Sequence, residues 1–246
     1  MSGNDRSRRG FMKACGATLA ALAGTTPSAL LLAGSRQAFP RAELVDRNRR
    51  PLTCEGLPRE QEFVFHYPYE STPCFLIKLS GTASGPVSLE TEDGQHYQWE
   101  GGVGPDRSVV SFSAICAHRL THPTRSVSFL GYRQHLDRLS GQSDAPNPEG
   151  GVIQCCSEHS IYDPANGARV VSGPAPQPLA AVELGLADDG GLYVEGVYGG
   201  MLFDRYFDAF GFRLALEFGD DAVRKPVSER VVALPITEYT LNRISC

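Results

Sequence analysis

The chain has 246 residues and a mass of 26.6 kDa, which suits one sizeable domain with appendages or two small ones. Its net charge of −5 and pI of about 5.7, with Lys and Arg scattered rather than banked, point away from a nucleic-acid partner. Hydrophobic residues at 41% and charged residues at 21% describe an ordinary globular core and exclude a disordered chain.

At the N-terminus, Ser7-Arg8-Arg9-Gly10-Phe11-Met12-Lys13 is followed by an uncharged stretch from Ala14 to Gly34. Paired arginines, the Phe two places on and the trailing Lys resemble a twin-arginine export signal. That route carries folded proteins, so it implies a cofactor inserted before export to the periplasm. Ala14 to Gly34 is just long enough to span a bilayer, so residues 1–38 read as a signal or as an uncleaved membrane anchor. Residues 39–61, polar and arginine-rich at their start, read as a linker.

From Glu62 the pattern is β-like. Glu62 to Tyr67 alternates, Cys74 to Leu79 is a short apolar run, and Pro86 to Glu90 leads to a hairpin turn at Asp93-Gly94. Val109 to Ser113 runs towards Cys116; Ala168 to Val171, Ala181 to Leu184 and Leu192 to Val194 follow, the last two flanking a second turn at Asp188 to Gly191. Gly173-Pro174-Ala175-Pro176 is a stiff loop, because proline fixes φ and restricts the residue before it. After Gly200, Phe203, Tyr206, Phe207, Phe210 and Leu214 recur at helical spacing, a stripe that suits core packing better than a partner surface. Arg230 to Leu234 suggests a last strand.

Chemistry concentrates in two short pairs, Cys116-Ala117-His118 and Cys156-Ser157-Glu158-His159, separated by a segment of 37 residues from Arg119 to Cys155. Two thiolates and two imidazoles delivered from two turns suit a 2Fe-2S cluster with one iron on two cysteines and the other on two histidines. Zinc also accepts a Cys2His2 set, and a periplasmic zinc-binding interaction module is the alternative from a different class. His122 and His135 read as ordinary surface or core histidines. Of the seven cysteines, Cys15 lies in the signal; Cys54, Cys74 and Cys246 are open to a disulfide or to remaining buried thiols.

Several segments resemble Rieske proteins. Ser160-Ile161-Tyr162-Asp163-Pro164 and Gly173-Pro174-Ala175-Pro176 look like the stretch after the second ligand pair in the Rieske subunits of cytochrome bc complexes. Tyr67-Pro68, Thr72-Pro73-Cys74, Lys78-Leu79 and Gly101-Gly102-Val103-Gly104-Pro105, leading into Ile115-Cys116-Ala117-His118, resemble the arsenite-oxidase small-subunit branch. The resemblance runs from Phe63 to Gly200. It implies a mainly β Rieske domain over 62–200, an antiparallel β base with an inserted cluster-binding subdomain at about 114–177, and a C-terminal extension over 201–246. It also implies that Ser160 and Tyr162 hydrogen-bond the cluster and a ligand sulfur, raising the potential. A single-electron carrier in a larger redox complex follows, with a cytochrome b or c, a quinol, or a molybdoenzyme large subunit as partner. No room remains for the catalytic domain of an oxygenase.

The chain departs from that family in three ways, one being that its loop between the ligand pairs is longer than usual. High-potential members join their two cluster loops by a disulfide, and the matching positions here, Thr121 and Ser157 or Glu158, hold no cysteine. The second pair also has two registers. Cys156 and His159 keep the C-x-x-H chemistry at the cost of one residue deleted before Ser160, and are the expected ligands. The gap-free register instead gives Cys155 and Glu158, a carboxylate that would be unusual on such a cluster.

Overall fold

The computed structural model describes residues 36–134 and 150–246. The expected signal or anchor, up to residue 35, and His135 lie outside the described residues. Among those described, no helix is long and apolar enough to cross a membrane.

Sixteen strands and three helices follow one another along the described chain. The first half holds β1 (Arg36–Val45), β2 (Glu62–His66), β3 (Pro73–Lys78), β4 (Val87–Glu90), β5 (His96–Trp99), β6 (Val109–Ser113), β7 (Val127–Ser128) and β8 (Leu130–Arg133). Then come β9 (Val152–Cys155), β10 (Ile161–Asp163), β11 (Arg169–Ser172), β12 (Ala181–Leu186) and β13 (Leu192–Tyr198). The tail adds α1 (Met201–Phe218), α2 (Asp220–Val223), β14 (Glu229–Val232), β15 (Leu234–Pro235), α3 (Ile236–Tyr239) and β16 (Asn242–Arg243). The fold is mainly β, as the sequence implies.

The base is an eight-stranded sheet in the order β14-β1-β13-β12-β6-β3-β2-β15, antiparallel except for the β1–β14 pair. Its central strands bury both faces, and the pleat sorts their side chains between two cores. Phe63, Phe65, Cys74, Leu76, Val109 and Val182 join one core, which α1 closes with Leu202, Phe203, Tyr206, Phe207 and Leu214. Val64, Phe75, Ile77, Val110, Phe112 and Ala181 face the other way, onto a second core shared with Trp99, Tyr162, Cys116 and Cys155. The second core lies beneath a four-stranded sheet, β11-β10-β9-β8, which carries the second cysteine pair. Each large side chain buried this way contributes roughly 1.5–3 kcal/mol.

Two boundaries differ from the sequence expectation. The expected linker begins as a strand: β1 pairs antiparallel with β13 and parallel with β14. Its arginines face outward and find partners, Arg36 on Glu183 at 2.5 Å and Arg41 stacked over Tyr193 at 3.4 Å, while Ala42, Leu44 and Val45 turn inward. The tail after Gly200 is also woven into the base, since β14 and β15 are the outer strands of the large sheet. The helical stripe predicted there packs into the core, with Phe203, Tyr206, Phe207 and Leu214 buried.

Candidate metal centre

Two loops meet above the second core, and their backbones follow one design. In the first, which continues from β6, the Cys116 N–H donates to Thr121 O at 2.8 Å and the Leu120 N–H returns to Cys116 O at 2.9 Å. In the second, which leaves β9, the Cys155 N–H donates to Ser160 O at 2.9 Å and the His159 N–H returns to Cys155 O at 2.7 Å. The fourth residue after the cysteine is left-handed in both, Leu120 at φ 57° and His159 at φ 59°. In both, the backbone N–H groups two and three residues after the cysteine point at its sulfur: His118 and Arg119 at Cys116, Ser157 and Glu158 at Cys155. Cys155 is therefore the structural counterpart of Cys116.

The register follows from this, and it corrects the sequence expectation for the second pair. Cys116 and Cys155 are buried free thiols joined by a hydrogen bond. Cys156 forms a disulfide with Cys246, and a sulfur so engaged is not a thiolate donor. His159 is exposed, its left-handed backbone carrying the side chain away from the buried pair. The free sulfur pair is therefore Cys116 with Cys155, not the expected Cys156, which is bonded to Cys246, and His159 is exposed. The same bond settles the remaining cysteines: Cys54 and Cys74 are buried and free.

The other expected residues do converge. The Tyr162 hydroxyl accepts the Ala117 N–H at 3.1 Å and lies 3.2 Å from Cys116 Sγ, so its own proton is directed at the sulfur. The hydrogen bond from the Cys155 thiol, with further help from Tyr162 and the two backbone N–H groups, pushes the Cys116 thiol down. The Cys155 thiol moves the opposite way, because it is the donor to Cys116 and is buried. One proton between two sulfurs is what a metal would displace. Burial and the nearby Cys116 sulfur push the Tyr162 hydroxyl up, which keeps it a donor.

Two buried polar atoms here have no partner in the protein, Ser160 Oγ and His118 Nδ1. Orphaned buried polar atoms are costly, and both find a use if a cofactor fills the space between the loops. Among the described residues no three His, Cys, Asp or Glu side chains gather as a site for a single ion. A two-iron cluster makes a different demand, one pair of donors at each end. The sulfur pair, the unpartnered His118 imidazole and Ser160 all fit it. The residue in the remaining position is Glu158, half-buried and facing Arg119 of the first loop at 3.8 Å.

Three neighbours hold the loops in place. The proline loop presses on the second: a Cβ on Gly173, at φ 92°, would stand 2.6 Å from both His159 O and Ser160 Cα. Only glycine fits there. Asp163 caps the turn Pro164–Asn166, accepting from the Ala165 N–H at 3.0 Å. Helix α1 supports the first loop through His122, whose ring meets Tyr206 and Phe210 edge-on with centroids 4.9 and 5.1 Å away. The gap-free spacing to Ser160 is the sequence signal for Cys155, the cysteine that the structure sets opposite Cys116.

No family model matches the chain. A relative, iodate reductase subunit IdrB of Denitromonas iodatirespirans, is 28% identical over 195 residues, 78% of this chain and 82% of that protein. Among solved structures, the soluble domain of Rieske protein II (soxF) from Sulfolobus acidocaldarius is 26% identical, with 65% of this chain and 78% of that one covered and a TM-score of 0.42.

Proposed function

We propose that the chain is a Rieske-superfamily protein, a single-electron carrier with a 2Fe-2S cluster, working as a subunit of a larger redox complex on the periplasmic side. One observation supports the reading: two matched loops carry a pair of hydrogen-bonded buried sulfurs, an unpartnered imidazole nitrogen and an unpartnered hydroxyl. When bound, the cluster supplies a one-electron couple.

The protein's own residues set the terms for that couple. Tyr162 directs its proton at Cys116 Sγ, and the backbone N–H groups at both sulfurs add to it; such donors favour the more negative, reduced state. Leu130, Tyr132, Ile153 and Ala165 belong to the core beneath and exclude water from the sulfur side. His118 is half-buried at the outer side, where a partner would press against it.

For the partner, we favour a molybdoenzyme-type catalytic subunit over a cytochrome bc complex. The relative that covers most of this chain is a subunit of iodate reductase, and the sequence resembles the arsenite-oxidase small-subunit branch before Cys116. The paired Arg8-Arg9 supports export of the folded, loaded chain.

Electron paramagnetic resonance of the reduced full-length chain, with iron and acid-labile sulfide analysis, tests the cofactor. A rhombic signal with iron and sulfide in equal amounts is expected; zinc without iron would overturn the reading. Affinity isolation from the native host tests the partner, with a molybdopterin subunit expected and a cytochrome b as the refuting result.

A further inference from the structure

We infer that Glu158, and not a second histidine, is the fourth protein ligand of the cluster, so that its outer iron is held by one imidazole and one carboxylate, from His118 and Glu158. This rests on the cofactor reading above and goes beyond it by naming a donor set that departs from the family's.

The two loops supply the argument. Their shared hydrogen bonds set Cys155 opposite Cys116, and His159 opposite Leu120. His159 has its N–H committed to Cys155 O, and its side chain is exposed. Glu158 is one residue closer to the cysteine, at the position whose backbone N–H points at the Cys155 sulfur. Its carboxylate leans across to the first loop, where Arg119, the residue next to His118, meets it at 3.8 Å. In the second loop, Glu158 is thus the carboxylate that meets the first loop, at the residue next to His118. The other side chain of that turn, Ser157, is exposed.

The chemistry of the exchange is specific. A carboxylate in place of a neutral imidazole adds one negative charge beside the iron that takes up the electron. Added negative charge disfavours reduction and lowers the potential. Arg119 offsets part of this charge from an exposed position.

The test uses the full-length chain carrying its cluster, with iron content, the g-values of the reduced signal and the reduction midpoint as readouts. Three variants are compared, Glu158→Ala, Glu158→His and His159→Ala. The expected results are roughly tenfold or greater loss of iron in Glu158→Ala, wild-type iron and g-values in His159→Ala, and retained iron with a higher midpoint and altered g-values in Glu158→His. Retention in Glu158→His separates ligand loss from misfolding. Wild-type iron and g-values in Glu158→Ala, or cluster loss in His159→Ala, would overturn the assignment while leaving the electron-carrier reading intact. Wild-type protein without iron would remove that reading, and this one with it.

Discussion

The first loop, Cys116 to Thr121, is held from behind by a packed helix, whereas the second, Cys155 to Ser160, is held by a covalent bond to the last residue of the chain. Their backbones match hydrogen bond for hydrogen bond, so the difference lies in what braces them. Behind the first, Tyr206 and Phe210 of α1 close on His122. Beside the second, Cys156 is tied to Cys246, and the tail leading there is itself fixed: β16 pairs in parallel with β7, and Arg243 binds the buried Glu62. No disulfide joins loop to loop among the described residues, and the two braces are both supplied by the segment after Gly200.

The largest expected effect tests the match between the loops. Cys155→Ser removes one of the paired sulfurs and should abolish the cluster, as Cys116→Ser should; Cys156→Ser should retain it. Iron analysis decides, and cluster loss in Cys156→Ser but not in Cys155→Ser would break the structural equivalence. Next come the braces. Cys246→Ser opens a loop spanning a sequence separation of 90, worth about 4.6 kcal/mol of chain entropy. Tyr206→Ala empties a fully buried site in α1, at a cost of about 3–5 kcal/mol. Denaturant midpoints measure both. Adding a reductant should lower the midpoint of wild type and of Tyr206→Ala but leave Cys246→Ser unmoved.

A smaller effect separates the loops chemically. Only Cys116 has the Tyr162 hydroxyl. Tyr162→Phe leaves the Ala117 N–H without its acceptor and should cost about 1–2 kcal/mol of stability. It should also lower the reduction midpoint, because one donor to sulfur is gone. An unchanged midpoint would show that the hydroxyl serves the fold alone.

How much of this was legible beforehand depends on the range of the interaction. The strands β2, β3, β6, β12 and β13 announce themselves by alternation or short apolar runs, because their signal is local. β1 hides, since its outer face is arginine and its partners, β13 and β14, lie far along the chain. Cys116 and His118 stand out by their C-x-H spacing, and Ser160 and Tyr162 only through the resemblance. The choice between Cys155 and Cys156 was not legible: neighbours at the end of a strand point to opposite sides, and which side is inward is set by the Cys155–Ser160 hydrogen bond. The bond to Cys246 depends on a tail whose course only the folded chain reveals.

The smallest effect is the pH dependence of the two braces, and its sign is informative. Burial holds the His122 imidazole below its ordinary 6.5, and its Nδ1–H donates to Leu120 O at 2.8 Å. Burial does the same to His66, which donates to Glu70 O and accepts from the Tyr239 hydroxyl at 2.9 Å. Both are neutral in the fold, so the unfolded chain takes up protons first as pH falls. Their contribution is present in full above about pH 6.5 and is lost as pH falls towards the depressed folded values. Glu62, under the tail, works the other way: burial raises its carboxyl against the pull of Arg243, so its contribution is present below its ordinary 4.5 and is lost as pH rises through the raised value. Between those limits the two slopes oppose each other, and variants separate them. His122→Gln should flatten the acid loss of thermal stability in the wild type, whereas Glu62→Gln should steepen it. A profile unchanged in His122→Gln would mean that the helix braces the first loop by packing alone, with no charge state at stake.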